Sequence, residues 1–182
     1  MITDGPLPGL KLFTPRVFGD ERGYFFEVYN ERLWREAGVA ADFVQDNQAY
    51  STRGVLRGLH YQRGEHAQAK LVRVIEGEVL DVAVDCRPDS PTYGQHHAVV
   101  LSGERQNQFF VPRGFAHGYV VLSETALFAY KCDNFYAPES EGGVRWDDAA
   151  LAIDWRVPAG EIQVSSKDAA LPAFGAHLGV GG

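Results

Sequence analysis

From Leu71 to Asp85 the chain runs as short apolar stretches rich in valine, interrupted at Glu76-Gly77. Runs of this length broken by a glycine predict two strands joined by a tight turn. Further turn signals stand at Arg53-Gly54, Pro88 to Pro91, Ser102-Gly103, Pro112 to Gly114, Pro138 and Gly142-Gly143, since glycine and proline supply the backbone angles that reversals need. One stretch departs from this rhythm. Between Asn30 and Gly38, the residues Leu33, Trp34 and Ala37 share a helical face, Asn30 is placed to cap the start and Gly38 to end it. Many short strands without long helices between them predict an all-β chain, an antiparallel sandwich or barrel in which one set of side chains converges on a central cavity. With no internal repeat and no second compositional regime, we expect one domain over residues 1–182, its core about 10–172. The stretch 173–182, glycine-rich from Gly175 to Gly182, is expected to fray as a flexible tail.

Composition narrows the partners. At 45% hydrophobic content, 182 residues can bury one sizeable core. Seventeen lysines and arginines against twenty-four aspartates and glutamates leave a net charge of −7, which argues against a nucleic-acid or membrane-surface binder, because those need a broad basic face. An anionic ligand then requires a local basic cluster. The start of the chain has no basic segment followed by an apolar run, and no stretch is long and apolar enough to span a bilayer, so a soluble cytoplasmic protein is expected. Cys86 and Cys132 are far apart in strand-like surroundings and read as buried, reduced thiols.

Candidate chemistry concentrates in a few places. Arg57-Gly58-Leu59-His60-Tyr61-Gln62 is dense in polar groups and is followed by Lys70 at the start of a strand. Regular alternation would turn Arg57 and Leu59 one way and His60 and Gln62 the other. Histidine titrates nearest neutral pH, which makes His60 a candidate general base, and the cations at Arg57 and Lys70 favour that role over a merely packed imidazole. A second cluster, Pro112-Arg113-Gly114-Phe115-Ala116-His117, sets His117 after a Pro-x-Gly turn. Together with His60 it resembles the paired motifs of the cupin superfamily. Metal-binding cupins carry His-x-His in the first motif. Here the pair is His60-Tyr61-Gln62, and the loss of one imidazole weakens a metal site, with Glu65, His66 and Gln68 as alternative ligands nearby. Tyr130 would share a strand face with Phe128 and Cys132 and could place its phenol in the cavity. Finally, Val17 to Glu27 is a charged turn flanked by aromatics, in which Arg22 suits diphosphate oxygens through its forked guanidinium.

The blocks Val17-Phe18-Gly19-Asp20-Glu21-Arg22-Gly23, Phe43-Val44-Gln45-Asp46-Asn47, Leu56-Arg57-Gly58-Leu59-His60, Gly114-Phe115-Ala116-His117-Gly118 and Ser166-Lys167-Asp168-Ala169-Ala170 together resemble the dTDP-4-dehydrorhamnose 3,5-epimerase family. The resemblance runs from about Leu10 to Pro172. It implies a base at His60, a proton donor at Tyr130 and an orienting carboxylate at Asp168, with Asp81 as a second candidate partner for His60. It further implies substrate contacts at Arg22, Glu27, Gln45, Asn47, Arg57, Lys70, His117, Glu141 and Lys167, with Tyr136 stacked on the thymine. A cupin-type double-stranded β-helix, or jelly roll, is implied, along with a homodimer that shares strands between subunits and the use of no metal or organic cofactor.

The residue types suit that reaction on independent grounds. In a 4-keto sugar the hydrogens on C3 and C5 are acidified by the C4 carbonyl, so a base removes one wherever the enolate oxygen is stabilised. Lys70 and Arg57 can supply that stabilisation. Inversion requires reprotonation from the other face, and a phenol is neutral and able to donate at physiological pH.

Overall fold

The computed structural model describes residues 1–181. Along the chain run β1 (Ile2–Asp4), β2 (Lys11–Phe13), β3 (Phe18–Asp20), β4 (Gly23–Phe25), α1 (Glu31–Glu36), β5 (Gln45–Thr52), β6 (Leu56–Gln62), β7 (Lys70–Glu76) and β8 (Glu78–Asp85). They are followed by β9 (His96–Ser102), β10 (Gln108–Val111), β11 (Phe115–Val121), β12 (Thr125–Cys132), β13 (Glu141–Gly143) and α2 (Ser166–Ala169). One sheet has the order β1-β2-β10-β7-β12-β5 and the other β13-β6-β11-β8-β9, while β3 and β4 pair only with each other. All the strand pairs are antiparallel. From β5 to β8 and again from β9 to β12 the chain passes repeatedly between the two sheets, which is the winding of a jelly roll. The all-β expectation is met in this form.

The predicted reversal at Glu76-Gly77 exists, but its strands do not form a hairpin: β7 and β8 belong to different sheets. Gly77 turns the corner at a φ of +82°, and a Cβ there would lie 2.1 Å from the Thr125 carbonyl oxygen, so only glycine fits. Between the sheets Val72, Val74, Phe109 and Phe128 pack against Val79, Ala83, Tyr119 and Val121. On the far side of the five-stranded sheet a second cluster joins Leu80, Val82, Val84 and Val120 to Trp155, Val157 and Val180 of the C-terminal segment. Strand β8 is therefore covered on both faces, which is why its sequence reads as a nearly continuous apolar run instead of an alternation.

The helix forms where expected. The Asn30 side chain accepts from the Arg32 and Leu33 amides, and Gly38 follows at a φ of +84°. Its buried face is narrower than the pattern suggested: Trp34 packs over Phe13 and Phe110 while Leu33 stays 43% exposed. Both cysteines are buried and free. The predicted flexible tail is instead docked. The Gly64 amide donates to the Val180 carbonyl at 3.3 Å, Tyr61 donates its hydroxyl to the Leu178 carbonyl, and Phe174 stacks with His177 and Tyr93. The reason is that Phe174 and Val180 cover apolar surface on the five-stranded sheet. Gly182 lies outside the described residues.

Candidate active site

A cavity of about 680 Å³ opens between the β5 end of one sheet and the β6 side of the other, closed on one side by residues 163–168. Strand β6 feeds it by breaking the alternation assumed from the sequence. In the β6–β11 pairing His117 stands opposite His60 and Tyr119 opposite Arg57, so two steps along β11 span three along β6. This is a bulge, and it moves Arg57 onto the same face as His60. Leu56, Leu59 and Tyr61 go to the apolar cluster behind the sheet, while Arg57 and His60 line the cavity. The bulge needs two glycines. A Cβ on Gly58 would sit 2.5 Å from the Gly118 Cα, and one on Gly118 would sit 2.7 Å from the Arg57 carbonyl oxygen.

His60 Nε2 is 2.8 Å from Asp168 Oδ1. Asp168 is buried, and its other oxygen accepts from the Gly58 amide at 3.2 Å. Ser165 caps α2 by accepting the Asp168 amide at 3.0 Å, which fixes the turn that presents the carboxylate. Burial alone would raise the Asp168 carboxyl. The His60 bond, together with the Gly58 amide and Ser165, outweighs it and holds the group below the usual carboxylate range. With Nε2–H donating to this carboxylate, the free lone pair of a neutral His60 is on Nδ1.

Asp81 does not partner His60. Both of its oxygens lie 2.9 Å from His117 Nε2, because β8 pairs with β11, the strand that carries His117, and is separated from β6 by it. Tyr130 lines the cavity beside Phe128, with ring centroids 5.9 Å apart. Burial first, and then its neighbours Cys132, Tyr119 and Glu141, push its phenol up to about 12, so it stays protonated at physiological pH. Lys70 stands 5.9 Å over the Tyr130 ring, and burial pushes its ammonium below the ordinary lysine value. Arg57 Nε donates to Ser51 Oγ at 3.2 Å.

An adjoining lobe of about 310 Å³ shares Asn47, His60, Lys70 and Tyr130 with the main cavity and adds Gln45, Tyr136 and Glu141. Glu141 accepts from Lys167 Nζ at 2.6 Å and from the Tyr136 hydroxyl at 2.8 Å, and Gln45 donates to Asn47 at 3.1 Å. Burial would raise the Glu141 carboxyl, and Lys167 and Tyr136 outweigh it and hold the group below the glutamate norm. The exposed face of Tyr136 is free for stacking.

Arg22 and Glu27 are not brought to either lobe. Arg22 sits at the tip of the β3–β4 hairpin, 82% exposed and paired with Asp20, and Glu27 is exposed just beyond it. Among the described residues the hairpin joins neither large sheet, and none of its residues lines either lobe. Conversely, Phe128, expected on the Tyr130 face, lines the cavity, as do Tyr119 and Ser165, which were not singled out from sequence. No local signal marked them, since an aromatic in a strand usually packs and a serine before a short helix usually only caps it. Among the described residues no three His, Cys, Asp or Glu side chains converge as a metal site, and no helix is long and apolar enough to cross a membrane.

Fold and cavity together define a cupin-type jelly roll whose central pocket carries acid–base groups and cations. The profile of the dTDP-4-dehydrorhamnose 3,5-epimerase family matches residues 4–176. The dTDP-4-dehydrorhamnose 3,5-epimerase of Pseudomonas aeruginosa is 54% identical over 169 residues, covering 92% of each chain. The crystal structure of the enzyme of that name from Elizabethkingia anophelis superposes with a TM-score of 0.92 at 54% identity, covering 96% of each chain. The dTDP-6-deoxy-D-glucose-3,5-epimerase of Legionella pneumophila, solved in complex with dTDP-4-keto-L-rhamnose, superposes equally at 0.92 with 48% identity, over 97% of this chain and 93% of that one. The chain belongs to the dTDP-4-dehydrorhamnose 3,5-epimerase family.

Proposed function

We propose that the protein inverts C3 and C5 of dTDP-4-dehydro-6-deoxy-D-glucose to give dTDP-4-dehydro-L-rhamnose, with His60 as base, Asp168 as its orienting partner and Tyr130 as the proton donor. The observation that carries this reading is the 2.8 Å His60–Asp168 bond inside a cavity that also holds Tyr130 and Lys70. Nδ1 of His60 takes the proton from carbon, and Asp168 stabilises the imidazolium that forms. Negative charge passes to the C4 oxygen, where Lys70 and Arg57 meet it. Tyr130, kept neutral by burial, returns a proton from the other side of the ring. Only protons move, so the mechanism uses the chain's own side chains.

The adjoining lobe takes the nucleotide in this reading. Tyr136 stacks on the thymine, while Gln45, Asn47, Glu141 and Lys167 hold the remaining polar groups and His117 borders the sugar. The binding energy of the dTDP moiety then places the ring before any chemistry occurs. Arg22 and Glu27 serve a partner subunit. The β3–β4 hairpin exposes Phe18, Tyr24 and Phe25 and joins neither large sheet, while β5 is an open sheet edge beside the cavity. These are complementary features of a homodimer that exchanges strands. Turnover in heavy water tests the reaction: two deuterons per product molecule support double inversion, and one deuteron or none refutes it.

A further inference from the structure

One histidine–aspartate couple takes no part in the proton transfers above. Asp81 is fully buried in the middle of β8, between Leu80 and Val82, which are equally buried. An apolar side chain would occupy that place at less cost, since a buried carboxylate must be compensated by partners. Its partner is His117, whose Nε2 is 2.9 Å from each carboxylate oxygen. His117 is itself on the cavity wall, opposite His60 in the strand register and on the same cavity as Lys70. Its ring lies nearly parallel to Phe128, at an interplanar angle of 24°.

We propose that Asp81 is a positioning residue for this reaction: it holds His117 as a fixed ring at the cavity wall and supplies the buried negative charge that keeps Lys70 an ammonium facing the ketone oxygen. The inference rests on the proton-transfer reading above. Lys70 shares the main cavity with Tyr130 from β12, Arg57 and His60 from β6, His117 and Tyr119 from β11 and Lys167 and Asp168 from α2, and the adjoining lobe with Cys132, Tyr136 and Glu141; Asp81 lies behind His117 and acts on Lys70 through its charge. The neighbouring strand β10, Gln-Phe-Phe-Val, brings no titratable side chain. Burial depresses Lys70, and Cys132 and then the carboxylates of Asp81 and Glu141 oppose it. Glu141 already accepts from Lys167 and Tyr136, and of the two carboxylates Asp81 has the larger effect on Lys70. Burial raises the Asp81 carboxyl itself, and His117 and then Lys70 work against that rise. The Tyr130 phenol at about 12 and the Cys132 thiol at about 11 ionise above a depressed lysine, which leaves the alkaline limb of activity to Lys70.

The test compares wild type with Asp81→Asn in the pH dependence of kcat/KM and in the titration of Lys70, followed through the side-chain carbon signal of lysine-labelled protein. Loss of the charge is expected to move the alkaline limb and the Lys70 midpoint to lower pH together, with kcat falling at least tenfold and KM changing less. An active wild type beside an Asp81→Asn protein whose limb and midpoint stay in place overturns the assignment, because a purely structural role lowers activity without moving either. The lysine titration reads the assignment independently of turnover, so a wild type that fails to epimerise refutes the mechanism and leaves the Asp81 test standing. Should Asp81→Asn not fold, Asp81→Ala removes the same charge and leaves an apolar side chain of the kind that Leu80 and Val82 carry beside it; the same midpoint is expected to fall, and an unchanged midpoint there also overturns the proposal.

Discussion

The two histidine–aspartate pairs, His117–Asp81 and His60–Asp168, stand on neighbouring strands and are built in different ways. The first joins β11 and β8 within one sheet, with side-chain exposures of 7% and 0%. The second joins β6 to a helix more than a hundred residues later, and its histidine remains 28% exposed while the aspartate is 5% exposed. In the first pair both members are locked by sheet and core, so the ring meets the cavity only as a fixed wall. In the second, the carboxylate is fixed by the Gly58 amide and the Ser165 cap while the imidazole keeps one open edge. The same two residue types therefore serve different ends, and solvent access decides which pair can take a proton from a ligand.

That difference predicts that substitutions separate the pairs. The largest effect is expected at the open pair and its phenol: His60→Ala and Tyr130→Phe should each lower kcat by about 10²–10⁴-fold, the usual worth of a general base or acid, while dTDP still binds by calorimetry. Full solvent deuterium exchange in either variant refutes the assigned roles. Asp168→Asn, which keeps the shape and removes the charge, is expected to lower kcat by up to about 10⁴-fold, the cost of the same change in a triad where the carboxylate fixes the tautomer and stabilises the imidazolium. An unchanged kcat would show that Asp168 does neither.

Arg22→Ala tests whether the exposed hairpin reaches a site in a partner. Because it removes one charge-assisted contact, dTDP affinity is expected to fall about tenfold, and unchanged affinity in a dimer removes the hairpin from the site. The smallest effect on catalysis is expected at a third aspartate, Asp85, four residues beyond Asp81 on β8. Burial would raise its carboxyl, but Arg87, Ser90 and Thr92 hold it down to about 2, against 3.8 ordinarily. A depressed carboxyl stabilises the fold above the unfolded value, and that contribution disappears as pH falls from about 4 towards 2. Asp85→Asn should leave kcat unchanged at pH 7 and lower stability by an amount on the order of 1–2 kcal/mol, seen as a smaller loss of Tm on acidification than in wild type.

Local patterning carried much of this. Valine-rich runs and glycine punctuation were enough for an all-β chain, because alternating burial and turn geometry act over a few residues. The Asn30 cap and Gly38 stop were legible for the same reason. Of the residues implied by resemblance, Gln45, Asn47, Arg57, His60, Lys70, His117, Tyr130, Tyr136, Glu141, Lys167 and Asp168 all come to the two lobes. The docked C-terminal segment was misread from its glycines, since composition reports the freedom of a chain and not the apolar surface waiting for Phe174 and Val180.

The amino-acid sequence by itself determined the strands, the turns, the capped helix and the kinds of chemistry available, all of which depend on neighbours in the chain. Only the tertiary structure decided which aspartate meets which histidine. Asp81 and Asp168 lie 21 and 108 residues from His60, and strand order, a property of the whole sheet, sends the nearer one to His117. It also decided that Arg57 and His60 share a face, because the bulge that aligns them arises from the close approach of Gly58 to Gly118 on the neighbouring strand.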